Sequence, residues 1–256
     1  MTTDFIRMDF PQGMELSPEY FEPLEIDVGT EHLTGVKAAK DLSKSADFIY
    51  FHGARGGNWS RIKVFAKPIV DQGSSIIAFD HSGHGTSTGE EKKASLEKRA
   101  NEARTIIDLY ANKNPITICG SSMGGHIAIK MLEYYDVQNL ILLCPGVYDR
   151  RAYSVAFDSG FTEILREPES WKNSDITEIL KSFKGNLLVL IGSEDTVIPK
   201  GVIELIDESA KNTKRKEIVT IPSAPHAIQE WMVANPEKAI ELASKMAEFS
   251  LPPSQI

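Results

Sequence analysis

Cysteine is scarce in this chain, with two in 256 residues, too few to staple a fold. Cys119 and Cys144 both sit in apolar strand-like runs, where cysteine behaves as a small buried hydrophobe. A disulfide scaffold is thereby excluded, and a reducing, cytoplasmic setting is expected. Long apolar runs are also lacking, so no membrane span is expected. The opening Met1-Thr2-Thr3-Asp4-Phe5-Ile6-Arg7-Met8-Asp9 has neither a basic start nor a continuous apolar stretch, and does not read as a secretory leader. Positive charge is in deficit, 28 Lys and Arg against 36 Asp and Glu, giving a formal net charge of −8. That balance argues against nucleic acid or an anionic membrane surface as partner. Internal repeats, low-complexity tracts and interdomain linkers are missing too, so residues 1–256 read as one domain.

What is present is alternation. Leu24–Val28 and His32–Ala38, joined by Gly29-Thr30, alternate apolar and polar residues and predict an antiparallel hairpin with one solvated face. Short, wholly apolar runs follow at 48–51, 75–79, 116–119, 140–143, 187–191 and 217–221, the pattern of parallel strands covered on both faces. Amphipathic stretches lie between and after them, at 60–71, 94–113, 124–135, 176–183, 201–211 and 236–249. In the second of these Leu96, Ala100, Ala103, Ile107 and Tyr110 recur at helical spacing. The expected fold is α/β, a doubly wound and mostly parallel sheet with right-handed crossovers. Ligands of such sheets bind beyond the carboxyl ends of the strands.

One segment, residues 146–175, follows a strand without a clean helical period and carries Tyr148, Tyr153, Phe157, Phe161 and Trp171. It reads as a short cap over the site, its aromatics forming an apolar acyl or aryl pocket.

At the end of the third apolar run, Gly120-Ser121-Ser122-Met123-Gly124 opens onto a helical pattern. A serine between glycines at a tight strand-to-helix turn is thrust out of the sheet, with a free backbone N–H beside it at the helix start. Ser122 has glycine at both flanking positions of the pentapeptide, whereas Ser121 as the centre would have Cys119 and Met123. Ser122 is therefore the candidate nucleophile. A serine hydroxyl needs a base, a group orienting that base and donors for an oxyanion. Asp195, in the Gly192–Pro199 loop after one strand, is placed to orient an imidazole, in preference to Glu194. His226, after the strand ending at Ile221, is the candidate base. The order Ser, Asp, His fits an acyl-transfer triad on such a sheet. The glycine-rich His52-Gly53-Ala54-Arg55-Gly56-Gly57 loop can turn a backbone N–H inward, from Ala54, to join that of Met123 as oxyanion donor.

These motifs, together with Asp80-His81-Ser82-Gly83-His84-Gly85-Thr86-Ser87, resemble the serine hydrolases of the α/β-hydrolase superfamily. In pattern the chain is similar to small cytosolic carboxylesterases, monoacylglycerol lipases and cinnamoyl-type esterases, from Phe48 to Phe249. The resemblance implies an eight-stranded sheet and hydrolysis through an acyl-enzyme, with no cofactor. The expected substrate is a small, largely uncharged carboxylic ester. Thioester or amide and peptide cleavage on the same machinery is the alternative; a non-catalytic small-molecule binding protein is another.

The remaining residues have plainer readings. His52 shapes the oxyanion loop through hydrogen bonds. His81 and His84 lack a cysteine or carboxylate ligand set in their neighbourhood of sequence, so no metal is expected. His126 starts a helix and faces away from the hydroxyl, and His32 is an exposed hairpin residue. The 53–57 loop lacks the Gly-Lys-Ser/Thr ending of a phosphate loop. Arg55, Arg150 and Arg151 are candidates to meet an anionic substrate group, with solvated surface arginine the plainer reading for each; Arg55 is also counted among the pocket residues.

Overall fold

A computed structural model describes residues 13–111 and 115–251. The leader reading of residues 1–9 and the end of the helical stretch at Lys113 lie outside those residues. The sheet has eight strands: β1 Phe21–Val28, β2 Glu31–Ala38, β3 Phe48–Phe51, β4 Ile76–Phe79, β5 Ile116–Ser121, β6 Val137–Leu143, β7 Asn186–Gly192 and β8 Arg215–Ile221. Their spatial order is β1-β2-β4-β3-β5-β6-β7-β8. β1 and β2 pair antiparallel, as do β2 and β4; every other pairing is parallel. This is the α/β-hydrolase fold with its N-terminal antiparallel hairpin.

The apolar runs divide their side chains between two cores, as the two-residue period of a strand requires. Ile49 and Phe51 of β3, Leu140 and Leu142 of β6, and Leu187 and Val189 of β7 enter one core. Phe48, Tyr50, Ile141, Leu143, Leu188 and Leu190 enter the other. Helices α2 Leu96–Tyr110, α3 Met123–Met131, α5 Ile176–Ser182 and α6 Lys200–Ser209 cover the first face; α1 Ala66–Asp71, α7 Ile228–Ala234 and α8 Pro236–Ser250 cover the second. Burying each such Leu or Ile contributes about 1.5–3 kcal/mol.

Two expectations are corrected. The stretch 60–71 is not one helix: a 3₁₀ turn at Trp59–Val64 precedes α1. Pro68 cannot donate to the carbonyl of Val64, so a continuous helix fails there. β8 is half-exposed along most of its length, being the last strand of the sheet. Glu217 at this edge pairs with Arg215 and Lys245, charges that discourage pairing with another chain.

Between β6 and α5 the chain makes short turns at Arg150–Ala152 and Ser170–Asn173 and the helix α4 Phe161–Arg166. It is strapped to the approach to α2 by Phe157 N–H to Ala94 O at 2.9 Å, Asp158 N–H to Lys92 O at 2.9 Å and Glu97 N–H to Tyr153 O at 2.9 Å.

Candidate active site

Ser122 joins β5 to α3 with φ 52° and ψ −117°, a backbone conformation costing a non-glycine residue of order 1–3 kcal/mol. The surroundings enforce it. A Cβ on Gly124 would overlap the carbonyl oxygens of Phe51 and His52, and one on Gly120 would overlap Gly124 O. Ser122 N–H donates to Leu143 O at 2.9 Å, and Ser122 O accepts from Gly125 N–H at 2.9 Å and Gly146 N–H at 2.8 Å. Met123 is the first residue of α3, so its N–H belongs to the orphan donors of a helix start.

The β7 and β8 loops are laced together at the same sheet edge. Ser193 N–H donates to Ile221 O at 2.9 Å, Glu194 N–H to Ala224 O at 3.0 Å, and Ser223 N–H to Ser193 Oγ at 2.8 Å. Across this lacing His226 Nδ1 lies 2.9 Å from Asp195 Oδ2, and His226 Nε2 lies 3.0 Å from Ser122 Oγ. The other oxygen of Asp195 accepts from Val197 N–H at 2.8 Å and Ile198 N–H at 3.0 Å. Burial pushes the Asp195 carboxyl up, but the hydrogen bonds from His226, Ile198 and Val197 outweigh it and hold the group below its usual range. Cys144, with φ 43°, is a free buried thiol beside this pair, and burial pushes its pKa up to about 12. Among the described residues, Cys144, Asp195 and His226 are the group whose ligand atoms gather closely enough for an ion; two of the three are already engaged with each other.

Gly53 packs on the serine: a Cβ there would lie 3.1 Å from Ser122 Cβ. Gly53, Ala54, Ser122, Met123 and His226 border one cavity of about 670 Å³. Behind the loop sits a buried polar cluster that the sequence did not reveal. His52 Nε2 accepts from His81 N–H at 3.0 Å, so its proton is on Nδ1, which donates to Gly53 O at 2.6 Å. Glu102 of α2 meets His81 Nδ1 at 2.7 Å and also accepts from Ser82 Oγ. Glu91 Oε1 accepts from Arg55 N–H at 3.1 Å and lies 3.3 Å from His84 Nε2. Each of His81 and His84 thus meets one carboxylate, because α2 and the turn before it fold back over them; among the described residues neither belongs to a group of ligand atoms close enough to hold an ion. Burial lowers the pKa values of His52, His81 and His84.

Of the pocket candidates, Arg55, Tyr148, Phe157 and Phe161 line the cavity. Tyr153 and Trp171 do not. Tyr153 packs beneath Lys130 Nζ, 5.2 Å from the ring centre, and Trp171 lies against Gly201; both pin the 146–175 segment to helices. His126 is buried, its ring 5.3 Å from that of Tyr148. Arg150 lies beside Glu178, and Arg151 pairs with Asp149 and Glu167. His32, about half exposed, meets Asp27 at 2.9 Å. The cavity is also lined by residues missed by sequence reasoning, Tyr50, Ser121 and Gln229. Ser121 Oγ donates to Gln229 Oε1 at 3.1 Å, and Gln229 Nε2 donates to Tyr50 OH at 2.7 Å. Gln229 offered one faint signal, its position three residues after His226.

The family model described as serine aminopeptidase, S33, matches residues 43–167. Protein phosphatase methylesterase 1 of Bos taurus is 30% identical over 154 residues, covering 54% of this chain and 39% of that protein. Lysophosphatidylserine lipase ABHD12 of Xenopus tropicalis is 26% identical over 199 residues, 70% of this chain and 48% of its own length. The chain thus spans less than half the length of these curated relatives. An esterase of Pyrococcus furiosus superposes with a TM-score of 0.63 at 21% identity, over 92% of this chain and 95% of that one.

Proposed function

We propose that the chain is a serine hydrolase of the α/β-hydrolase superfamily, cleaving small, largely uncharged carboxylic esters; the family match over residues 43–167 and the curated esterase and lipase relatives support this reading. The observation that carries this reading is the relay Ser122 Oγ, His226 and Asp195, with hydrogen-bond separations of 3.0 and 2.9 Å. His226 Nε2 takes the hydroxyl proton as Ser122 Oγ bonds to the ester carbonyl carbon. Asp195 holds the proton on Nδ1, which fixes the tautomer, and supports the imidazolium that forms. Negative charge develops on the carbonyl oxygen facing the N–H groups of Ala54 and Met123. Collapse expels the alcohol with the proton from Nε2, leaving the acyl group on Ser122. Water then attacks by the same route and releases the acid.

Tyr148, Phe157 and Phe161 supply an apolar wall that suits an aryl or aliphatic acyl group. In this reading residues 146–175 act as the cap of one α/β domain, and the reduced thiols Cys119 and Cys144 suit a cytoplasmic setting. The names of both curated relatives denote ester cleavage. The matched family description names a peptidase, which keeps amide cleavage as the second reading.

The test is hydrolysis of p-nitrophenyl esters from acetyl to long acyl, beside matched anilides and thioesters, by the native protein and Ser122→Ala. A rate that peaks at one ester length and falls on the order of a millionfold in the variant is expected. Faster anilide than ester turnover would move the assignment to an amidase, and turnover surviving Ser122→Ala would end it.

A further inference from the structure

Arg99, in the first turn of α2, is fully buried, an expensive place for a cation unless something nearby uses it. Its close side-chain partner is a histidine and not a carboxylate. Nη2 lies 3.0 Å from His84 Nε2 and 3.9 Å from Glu91 Oε1, and the ring of Phe157 stands 5.4 Å from the guanidinium carbon. Nε makes no hydrogen bond. Nη1 donates to Gly53 O at 3.4 Å, the same oxygen that takes the His52 Nδ1–H. Gly57 completes the seat, because a Cβ there would lie 2.5 Å from Gly53 O and 2.8 Å from His52 Nδ1.

We propose that Arg99 is a positioning residue for the oxyanion site, clamping the Gly53 carbonyl together with His52 so that the Ala54 N–H is aimed at the carbonyl attacked by Ser122. This rests on the reading of Ser122 as nucleophile. A trans peptide is planar, and its C=O and N–H point in opposite directions. Drawing Gly53 O back toward α2 therefore turns the Ala54 N–H outward, to the cavity that Gly53, Ala54 and Ser122 border. The neighbouring peptide is fastened independently, through Arg55 N–H and Glu91. Glycine at 53 and 56 gives the backbone around that peptide rotational freedom. The clamp opposes that rotation from two sides. On the carbonyl side, a cation that no close carboxylate neutralises also polarises the peptide in the sense that favours negative charge at its N–H end. A purely structural buried arginine would be expected to sit against a close carboxylate; here the nearest is Glu91, at 3.9 Å.

The experiment compares native protein with Arg99→Met and Arg99→Lys, after confirming that a fluorophosphonate probe labels Ser122 of the native chain. The readouts are kcat, KM and the inhibition constant of an aryl trifluoromethyl ketone, whose tetrahedral adduct places an oxyanion in the site. For Arg99→Met, kcat is expected to fall about 10- to 100-fold, below the about 100- to 1,000-fold of losing a donor outright. KM should stay within about threefold, while the ketone weakens by the same factor as kcat. Arg99→Lys keeps the charge without the planar fork and should fall between the two. A folded variant with kcat and ketone affinity both within twofold of native overturns the proposal. If Arg99→Met does not fold, Arg99→Lys decides by the same split. An unlabelled, inactive native protein would overturn the nucleophile assignment instead, so the two failures are distinct.

Discussion

On one side of Ser122 the histidines and the arginine behind the loop have almost no access to water: His52 and Arg99 are 0% exposed and His81 1%. On the other side the side chain of His226 keeps 22% of its exposure and that of Asp195 7%. The difference suits what the proposed mechanism asks of each side. Fixed dipoles stabilise charge best when locked in a dry, low-dielectric setting, because they need no reorganisation as charge appears. A proton carrier works near neutrality and has to return to its starting state each cycle, which partial contact with water assists. The hydrogen bonds differ accordingly. Asp195 is held by backbone N–H groups of its own loop. The His52–Gly57 loop is held instead from other elements, by the Arg99 side chain of α2 on Gly53 O and by the His81 backbone N–H, which donates to the His52 ring.

The largest way to break the acid–base side alone is Asp195→Asn. The amide cannot hold the proton on His226 Nδ1 in the same sense, and kcat is expected to fall about 10⁴-fold, with the ketone adduct weakened far less. Equal losses in both would mean that the two sides are not separable. The pH profile sharpens the same contrast. Burial holds His52, His81, His84 and His126 below the ordinary histidine range, so none of these four adds a proton in that range. The acid limb of log kcat/KM should thus have a slope of about one, as expected of a single essential base. A slope of two would place a second proton on the oxyanion side.

Next in size are the glycines that join the two sides. Gly124→Ala puts a Cβ into the carbonyl oxygens of Phe51 and His52. Backbone cannot yield as a side-chain end can, so a loss above about 3 kcal/mol in urea unfolding is expected. Gly56→Ala meets nothing within 4 Å and suffers only from its φ of +75°. Its cost should stay nearer about 1 kcal/mol. Comparable losses would mean that loop conformation, not crowding under the nucleophile, limits the fold.

This division also marks what the sequence could tell. The runs at 48–51, 140–143 and 187–191 carried their own strand signal, and Ser122, Asp195 and His226 were legible because strand-end loops place them at one sheet edge. The structure brings those three into hydrogen-bond reach. Arg99 and Glu102 read as the polar face of an amphipathic helix, since nothing in their spacing announces that this face is covered. The return of the Asp80–Ser87 loop beneath α2 covers them, joined at Arg99 by Gly53 and the Phe157 ring. Tyr153 and Trp171 erred the other way, for an aromatic in an irregular segment carries no mark of which surface it meets.

A smaller effect separates stability from catalysis. Burial lowers the pKa of His126 from 6.5 to about 4, the nearby Asp175 and Lys130 acting in opposite directions. Its Nδ1 has no hydrogen-bond partner. A histidine whose folded pKa is depressed binds fewer protons in the native than in the unfolded state. Stability is therefore retained above the unfolded value and lost as pH falls below it. Between pH 8 and about 5 this one group should remove about 2 kcal/mol. His126→Leu should flatten the fall in unfolding free energy by that amount while leaving the acid limb of kcat/KM in place. An unchanged slope would assign the acid sensitivity to the histidines behind the oxyanion loop.

The smallest expected change comes from Phe157, the residue that touches both the cavity and Arg99. Phe157→Leu keeps the wall apolar but removes a ring whose contact with the guanidinium is worth about 0.5–2 kcal/mol. If the aromatic wall only measures the acyl group, the preferred chain length should shift and kcat on the best ester should hold within about threefold. If the ring also steadies Arg99, kcat and the trifluoromethyl ketone affinity should fall together on every ester, without a change in preferred length. The first pattern keeps the 146–175 segment a matter of specificity. The second makes it the outer support of the oxyanion loop, so that the dry side of the site extends through Phe157 to the substrate itself.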